Sequence, residues 1–259
     1  MSEVAVDTAI ARMPRGGPNA SRLDRRLQTD VLEYTDRYDI PDDVKQTVIS
    51  ALDRMGTRTG QHEKNARTAL GLVTDIANPR ILELGAGHGR LSAKILELHP
   101  TATVTISDLD PTSVANIAAG ELGANPRVRT QVVDATAIDA ADDSYDLVVF
   151  AQAFHHLPPA IAFRAIAEAT RVGKQFLVID LKRPSPLLLI LAPLAVAPLA
   201  VVPRLRPLMH DGFISALRAY SRSAFLALGK AADPRMSIEF LPSPLRFGPT
   251  PTTLVFSRP

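Results

Sequence analysis

The sequence predicts an α/β fold built on an open, mostly parallel sheet, and three observations carry that prediction. The run Arg80-Ile-Leu-Glu-Leu-Gly-Ala-Gly-His-Gly-Arg90 takes an apolar strand (Ile81, Leu82, Leu84) into glycines at alternate positions, and then into a helical pattern (Leu91, Ile95, Leu96). A second strand, Thr103-Val-Thr-Ile-Ser107, ends in Asp108, and Pro111 opens the next helix, read over 112–122, at its first turn. The alternation then continues through strands at 128–133, 145–150 and 176–179, with a helix over 159–172.

The first strand-to-helix turn is a ledge for a ligand. Its glycines allow φ > 0 and close backbone approach, and the helix N-terminus offers free N–H groups. The spacing argues against a dinucleotide fingerprint and a nicotinamide oxidoreductase, because the third glycine of G-x-G-x-x-G would fall where Arg90 stands. Asp108, at the end of the second strand, can accept both ribose hydroxyl protons of an adenosine.

The pattern Glu83-x-Gly85-x-Gly87-x-Gly89 resembles motif I of the class I S-adenosylmethionine (SAM) methyltransferases. Asp108, the pair Asp134-Ala135 after the third strand, and the block Ala151-Gln-Ala-Phe-His-His-Leu157 after the fourth follow in that family's order and spacing, over residues 66–181. The resemblance implies a Rossmann-like seven-stranded sheet of order 3-2-1-4-5-7-6, with N-terminal helices and an apolar helical insert after strand 5. Residues 236–241 and 252–257 would supply the final pair of strands across a Pro-rich link. The resemblance also implies SAM as cofactor, held by Glu83, Gly85, Ala86, Gly87, Gly89, Asp108, Leu109, Asp134, Ala135 and Gln152. Asp134 and a backbone N–H would meet the adenine, Glu83 would orient the loop and the amino-acid end of SAM, and His88 would lie near its methionine portion.

At 259 residues, 46% hydrophobic and 22% charged, the chain suits one α/β domain with appendages. The net charge of +2, without a basic stretch interleaved with aromatics, argues against nucleic acid as a partner. The lack of cysteine removes disulfides, thiolate metal sites and Cys nucleophiles, and fits a cytoplasmic protein. Residues 1–20 read as a disordered leader and 21–60 as N-terminal helices. Ser21 would cap the first helix, with Leu23, Leu27 and Val31 on one face; Pro41-Asp-Asp43 would open the second, with Val44, Val48, Ile49, Leu52 and Met55 as its stripe. The main domain, 61–259, opens on a helix over 61–76 and carries a lid insert at 184–220.

Within that insert, Pro186–Pro203 is almost uncharged and is flanked by Lys182, Arg183, Arg204 and Arg206. Helix over this run reaches about 24 Å, short of the ~30 Å of a bilayer core, and Pro193 and Pro198 interrupt it. The expectation is a kinked helical lid over a hydrophobic small-molecule acceptor, with Leu189 and Leu191 on its inner face. Peripheral membrane association through 187–202 and a homodimer interface stay open as alternatives. Ser215 and Arg218, at i and i+3 on the following helix, read either as a polar anchor for substrate or as a cap and a surface pair.

Ligand sites in open parallel sheets lie beyond the strands' C-terminal ends. His155 and His156 follow the fourth strand, and Asp180 ends the fifth, its neighbour in the implied topology. A His and an Asp so placed can hydrogen-bond, which raises the imidazole's basicity and fixes its tautomer. His155 is therefore read as general base and Asp180 as its orienter; the resemblance implies that the first of the two histidines faces the substrate and that His156 packs inward. Transfer by alignment alone, with structural histidines, and His210 as the base stay open. No metal is expected, because adjacent histidines lack the spacing for two ligands on one helical face. The expected function is methyl transfer from SAM to a quinone-, polyketide-, terpenoid- or lipid-like acceptor at oxygen or carbon. The alternative is a catalytically inactive SAM-binding partner subunit.

Overall fold

The computed structural model describes residues 8–37, 39–196, 202, 206–242 and 250–259, the side chains of 193–196 excepted. After a helical turn over 8–11 come α1 (Arg22–Arg26), a 3-10 turn (Tyr34–Asp36), α2 (Asp42–Arg58) and α3 (Gln61–Gly71). The alternating core follows as β1 (Arg80–Leu84), α4 (Arg90–Leu98), β2 (Thr103–Asp108), α5 (Pro111–Ala119), β3 (Val128–Val132) and β4 (Leu147–Ala151). A second 3-10 turn (Phe154–His156) leads to α6 (Pro159–Val172) and β5 (Phe176–Asp180). The chain continues as α7 (Pro186–Val196), α8 (Arg206–Arg218), α9 (Arg222–Ala232), β6 (Ser237–Phe240) and β7 (Thr252–Ser257).

The seven strands form one sheet of order β3-β2-β1-β4-β5-β7-β6, as the resemblance implied. Five pair in parallel; β7 runs antiparallel between β5 and β6. β4 and β5 are buried along almost their whole length because helices cover both faces, which is why they read as unbroken apolar runs. One face packs Phe163, Ile166 and Val172 of α6 and Phe225 and Leu228 of α9. The other packs Ala66 and Ala69 of α3 and Leu91, Ile95 and Leu96 of α4. Strand order reverses between β1 and β4, which opens a crevice at their C-terminal ends.

The flanks depart from the sequence reading. Over its described residues, 8–20, the expected disordered leader is built into the protein. Ile10 and Met13 join the core, and the buried Arg15 guanidinium donates to the carbonyls of His155 (2.7 Å) and Arg218 (2.9 Å). Ser21 caps α1, accepting the Asp24 N–H at 3.1 Å, but the helix stops at Arg26 and leaves Leu23 and Val31 exposed. It is Asp24 that turns inward, because Arg183 grips it at 2.6 and 3.0 Å. Along α2, Val48 is buried while Leu52 and Met55 face outward.

The apolar insert forms a helix, and Pro193 lies inside α7 without ending it; Pro198 and Arg204 fall outside the described residues. Leu189 is 1% exposed and packs on Ile214 and Leu217 of α8, whereas Leu187 is 63% exposed and Leu188, Ile190 and Leu191 also face outward. The expected inner face of Leu189 and Leu191 is thus split, since one helix packing against one neighbour buries one stripe. No helix among the described residues is long and apolar enough to cross a membrane.

Candidate active site

The crevice between β1 and β4 is built by the glycine loop. Gly85, Gly87 and Gly89 all take positive φ. At Gly85 a Cβ would also stand 2.6 Å from Phe150 Cε2, so only glycine lets the chain turn across β4 there. The Gly87 N–H donates to Asp108 Oδ2 at 2.8 Å and the Ala86 N–H to the Ser107 carbonyl at 2.9 Å, which joins the loop to the end of β2. Asp108 Oδ1 accepts the Asp110 N–H at 2.9 Å, and burial pushes the Asp108 carboxyl upward despite these bonds.

Glu83 is buried beneath the loop. It accepts the Ser92 N–H at 3.1 Å and the Ser92 hydroxyl, which fixes the first turn of α4, and burial raises its pKa to about 7. The rest of the implied cofactor set follows the C-terminal ends of β2, β3 and β4. Leu109 is exposed beyond β2. Exposed Asp134 accepts the Thr136 N–H and hydroxyl at 2.8 Å, and Ala135 packs on the core. Gln152, just past β4, holds φ 61° although it is not glycine, and its buried Nε2 has no hydrogen-bond partner among the described residues. Such strain concentrates at ligand sites. His88 is tied to α2 through Asp53 (2.6 Å) and Gln46 (2.8 Å), so α2 lies across the loop as a cover.

Beside this crevice, past the ends of β4 and β5, lies a buried charged cluster. The pairing expected between His155 and Asp180 is present: His155 Nδ1 stands 2.7 Å from Asp180 Oδ1, and Asp180 Oδ2 accepts the His155 N–H at 2.7 Å. The facing of the two histidines is the reverse of the expectation. The His155 side chain is 3% exposed and points into the protein, whereas His156 is 21% exposed. His156 Nδ1 stands 2.6 Å from Asp36 Oδ1. The two rings lie 4.4 Å apart, and Glu33, 4% exposed, reaches both: its Oε1 is 3.6 Å from His155 Nε2 and its Oε2 is 3.8 Å from His156 Nε2.

Helix α8 completes the cluster. Ser215 Oγ donates to Glu33 Oε2 at 2.7 Å, and the Arg218 guanidinium donates to Asp36 and to the His156 carbonyl. The Ser215–Arg218 spacing thus serves a buried network rather than a surface pair. Burial alone would push the His155 imidazole down, but Asp180 and Glu33 outweigh it and hold its pKa at about 9. Burial would raise Asp36; His156 and Arg218 bring it to about 2. With its proton held at neutral pH, His155 is a poor general base in this form. His210 pairs with Asp211 at 2.9 Å and meets the Tyr34 ring edge-on.

Sequence reasoning missed Arg15, Glu33 and Asp36. They lie in stretches read as leader and short helix, far in sequence from their partners, and no local pattern marks them.

The comparisons with known proteins agree with this geometry. Residues 81–175 match the family model described as a methyltransferase domain. Two malonyl-[acyl-carrier protein] O-methyltransferases are similar. The one from Geobacter sulfurreducens is 37% identical over 93 residues, 36% of this chain and 34% of that protein. The one from Paenibacillus sp. is 31% identical over 123 residues, 46% of this chain and 41% of that protein. The chain thus spans between a third and a half of the length of the curated relatives it matches. Among solved structures, the plantazolicin methyltransferase BpumL in complex with a monoazolic desmethylPZN analog and SAH superposes with a TM-score of 0.63 at 12% identity, over 98% of this chain and 99% of that one.

Proposed function

We propose that this chain moves the methyl group of SAM to a hydrophobic small molecule at oxygen or carbon, a reading supported by the methyltransferase-domain match over residues 81–175 and by the fold. The observation that supports this most is the ledge at Gly85–Gly89, with Asp108 bound across it where the strand order reverses. A dinucleotide would find Arg90 in place of the third glycine of its fingerprint.

The residues divide the work. The loop N–H groups and Asp108 would hold the amino-acid and ribose parts of SAM, and Asp134 and Gln152 would contact its remainder. Binding then aligns the sulfonium methyl with the acceptor. The new bond forms from the acceptor's oxygen or carbon to the methyl, the S–CH₃ bond breaks with its electrons left on sulfur, and the acceptor's proton departs. We place the exit of that proton at the Glu33–His155–His156 cluster. The hydrophobic acceptor is favoured by α7, whose outward Leu187, Leu188, Ile190 and Leu191 form an apolar stripe next to the helix that carries Ser215 and Arg218.

The test is calorimetry with SAM and S-adenosylhomocysteine (SAH), followed by transfer of labelled methyl to a panel of quinols, phenols and acyl-thioester carboxylates. Binding of both nucleosides with label in the lipophilic phenols supports the reading. Label confined to the carboxylates moves the acceptor class, binding without turnover on any acceptor favours the inactive partner subunit, and no binding removes the cofactor assignment.

A further inference from the structure

We infer that Glu33, His155 and His156 form a binding site for a first-row divalent cation of the Zn²⁺ type. One ring nitrogen of each histidine and a carboxylate oxygen of Glu33 lie within 4.8 Å of one another. A tetrahedral ion held at about 2.0–2.2 Å by each ligand sets its ligand atoms about 3.4 Å apart. His155 Nε2 is 3.6 Å from Oε1 of Glu33 and His156 Nε2 is 3.8 Å from Oε2, each within a few tenths of that spacing for a carboxylate that offers both oxygens. Two imidazoles and one carboxylate are a ligand set that leaves further positions on the ion for a substrate oxygen.

Two further observations point the same way. First, each histidine has its other nitrogen on a carboxylate: Nδ1 of His155 on Asp180 at 2.7 Å and Nδ1 of His156 on Asp36 at 2.6 Å. That is the outer arrangement that metal-bound histidines adopt; an ion would displace the second proton that His155 holds in its absence, leaving N–H on Nδ1 and the lone pair on Nε2. Second, His155 Nε2 and Glu33 Oε1 are buried and have no hydrogen-bond partner among the described residues. At 3.6 Å they attract as an ion pair without a hydrogen bond, so each buried atom keeps unused bonding capacity that an ion between them would take up.

The spacing argument against a metal does not reach this site. It assumed both histidines on one face of an α-helix; they lie instead on the 3-10 turn Phe154–His156, and the third ligand arrives from the N-terminal segment. The Arg218 guanidinium lies 3.6 Å from Glu33 Oε1 and borders the place, but its hydrogen bonds go to Asp36 and to the His156 carbonyl. The bearing on catalysis rests on the methyl-transfer reading above: an ion there would polarise an acceptor oxygen.

The experiment uses the untagged full chain, stripped with EDTA and titrated with Co²⁺, with Zn²⁺ as competitor. We expect one Co²⁺ per chain, visible absorption bands that Zn²⁺ abolishes, and about 10–100-fold weaker Co²⁺ binding in Glu33→Gln and in His156→Gln. SAH affinity, measured in parallel, stays at the wild-type value. Should Glu33→Gln fail to fold, the half-exposed His156→Gln decides. A wild type that shows no such bands, or folded variants that bind Co²⁺ equally well, overturns the site and leaves the cluster as a buried ion-pair network. Co²⁺ bound without SAH removes the cofactor reading alone; SAH bound without Co²⁺ removes the metal alone.

Discussion

The two halves of the site are assembled in different ways. The cofactor ledge is made almost entirely from consecutive elements: Glu83 to Ser92, Gly87 to Asp108, Ala86 to Ser107. The charged cluster is made from three distant segments, with Glu33 and Asp36 on one strip, His155 and His156 on another, and Ser215 and Arg218 on a third. The ledge rests on backbone conformation and hydrogen bonds fixed by local chain geometry. The cluster rests on side-chain charges that satisfy one another only when all three strips have met. Damage to the first should therefore stay local and show in ligand affinity, whereas damage to the second should show in the stability of the whole.

The strongest test of that contrast is Arg218→Met. Removing one partner from a buried ion network costs about 3–5 kcal/mol, and Asp36 would lose its guanidinium. Urea denaturation should show a loss of that size, with SAH affinity near wild type while the protein stays folded. A loss under about 1 kcal/mol would mean that the cluster behaves like a surface pair.

Glu83 tests the ledge through pH. Its folded pKa of about 7 lies above the ordinary 4.5. Its contribution to stability is therefore full below the unfolded value and is lost as pH rises through the folded one. Between about pH 5 and about pH 8 the wild type should lose up to about 3 kcal/mol from this group, and Glu83→Gln should flatten that slope. Identical pH profiles for the two proteins would remove Glu83 as the cause.

Smaller still is Asp108→Ala. Loss of a charge-assisted hydrogen bond costs about 1.5–3 kcal/mol, or on the order of 10–100-fold in affinity, and it should weaken SAM and SAH alike in calorimetry. An unchanged affinity would take Asp108 out of the site. The smallest effect on folding belongs to Leu191→Ser on the exposed stripe of α7, where stability should move by less than about 0.5 kcal/mol. Leu189→Ser, on the buried stripe, should lose several times more. The useful readout for Leu191→Ser is KM for a lipophilic acceptor set against sedimentation with anionic liposomes: a rise in KM alone supports the acceptor role, and a loss of sedimentation alone supports membrane contact.

What the sequence made legible follows the same division. The glycine loop, Asp108, the strand order and the His155–Asp180 pairing could be read because each depends on a motif or on the order of neighbouring strands. Glu33, Asp36 and Arg15 could not, since their roles depend on where a loosely patterned segment comes to rest. The deeper burial of His155 was hidden for the same reason: Glu33 arrives from outside the motif to cover that ring. In α1, Asp24 displaced the leucine stripe because Arg183, 159 residues away, supplies a charge that local periodicity cannot register.

The separation of Glu33 from Ser215 and of Asp36 from Arg218, 182 residues in each case, also bears on how the molecule is made. At about 5–20 residues per second, a ribosome takes on the order of 10–40 s to produce the second partner after the first. Through that interval Glu33 and Asp36 lack these partners on α8, although His156 follows Asp36 by 120 residues, so the network closes only once α8 is made. Closure of the buried network is then a late event, long after its acids were made.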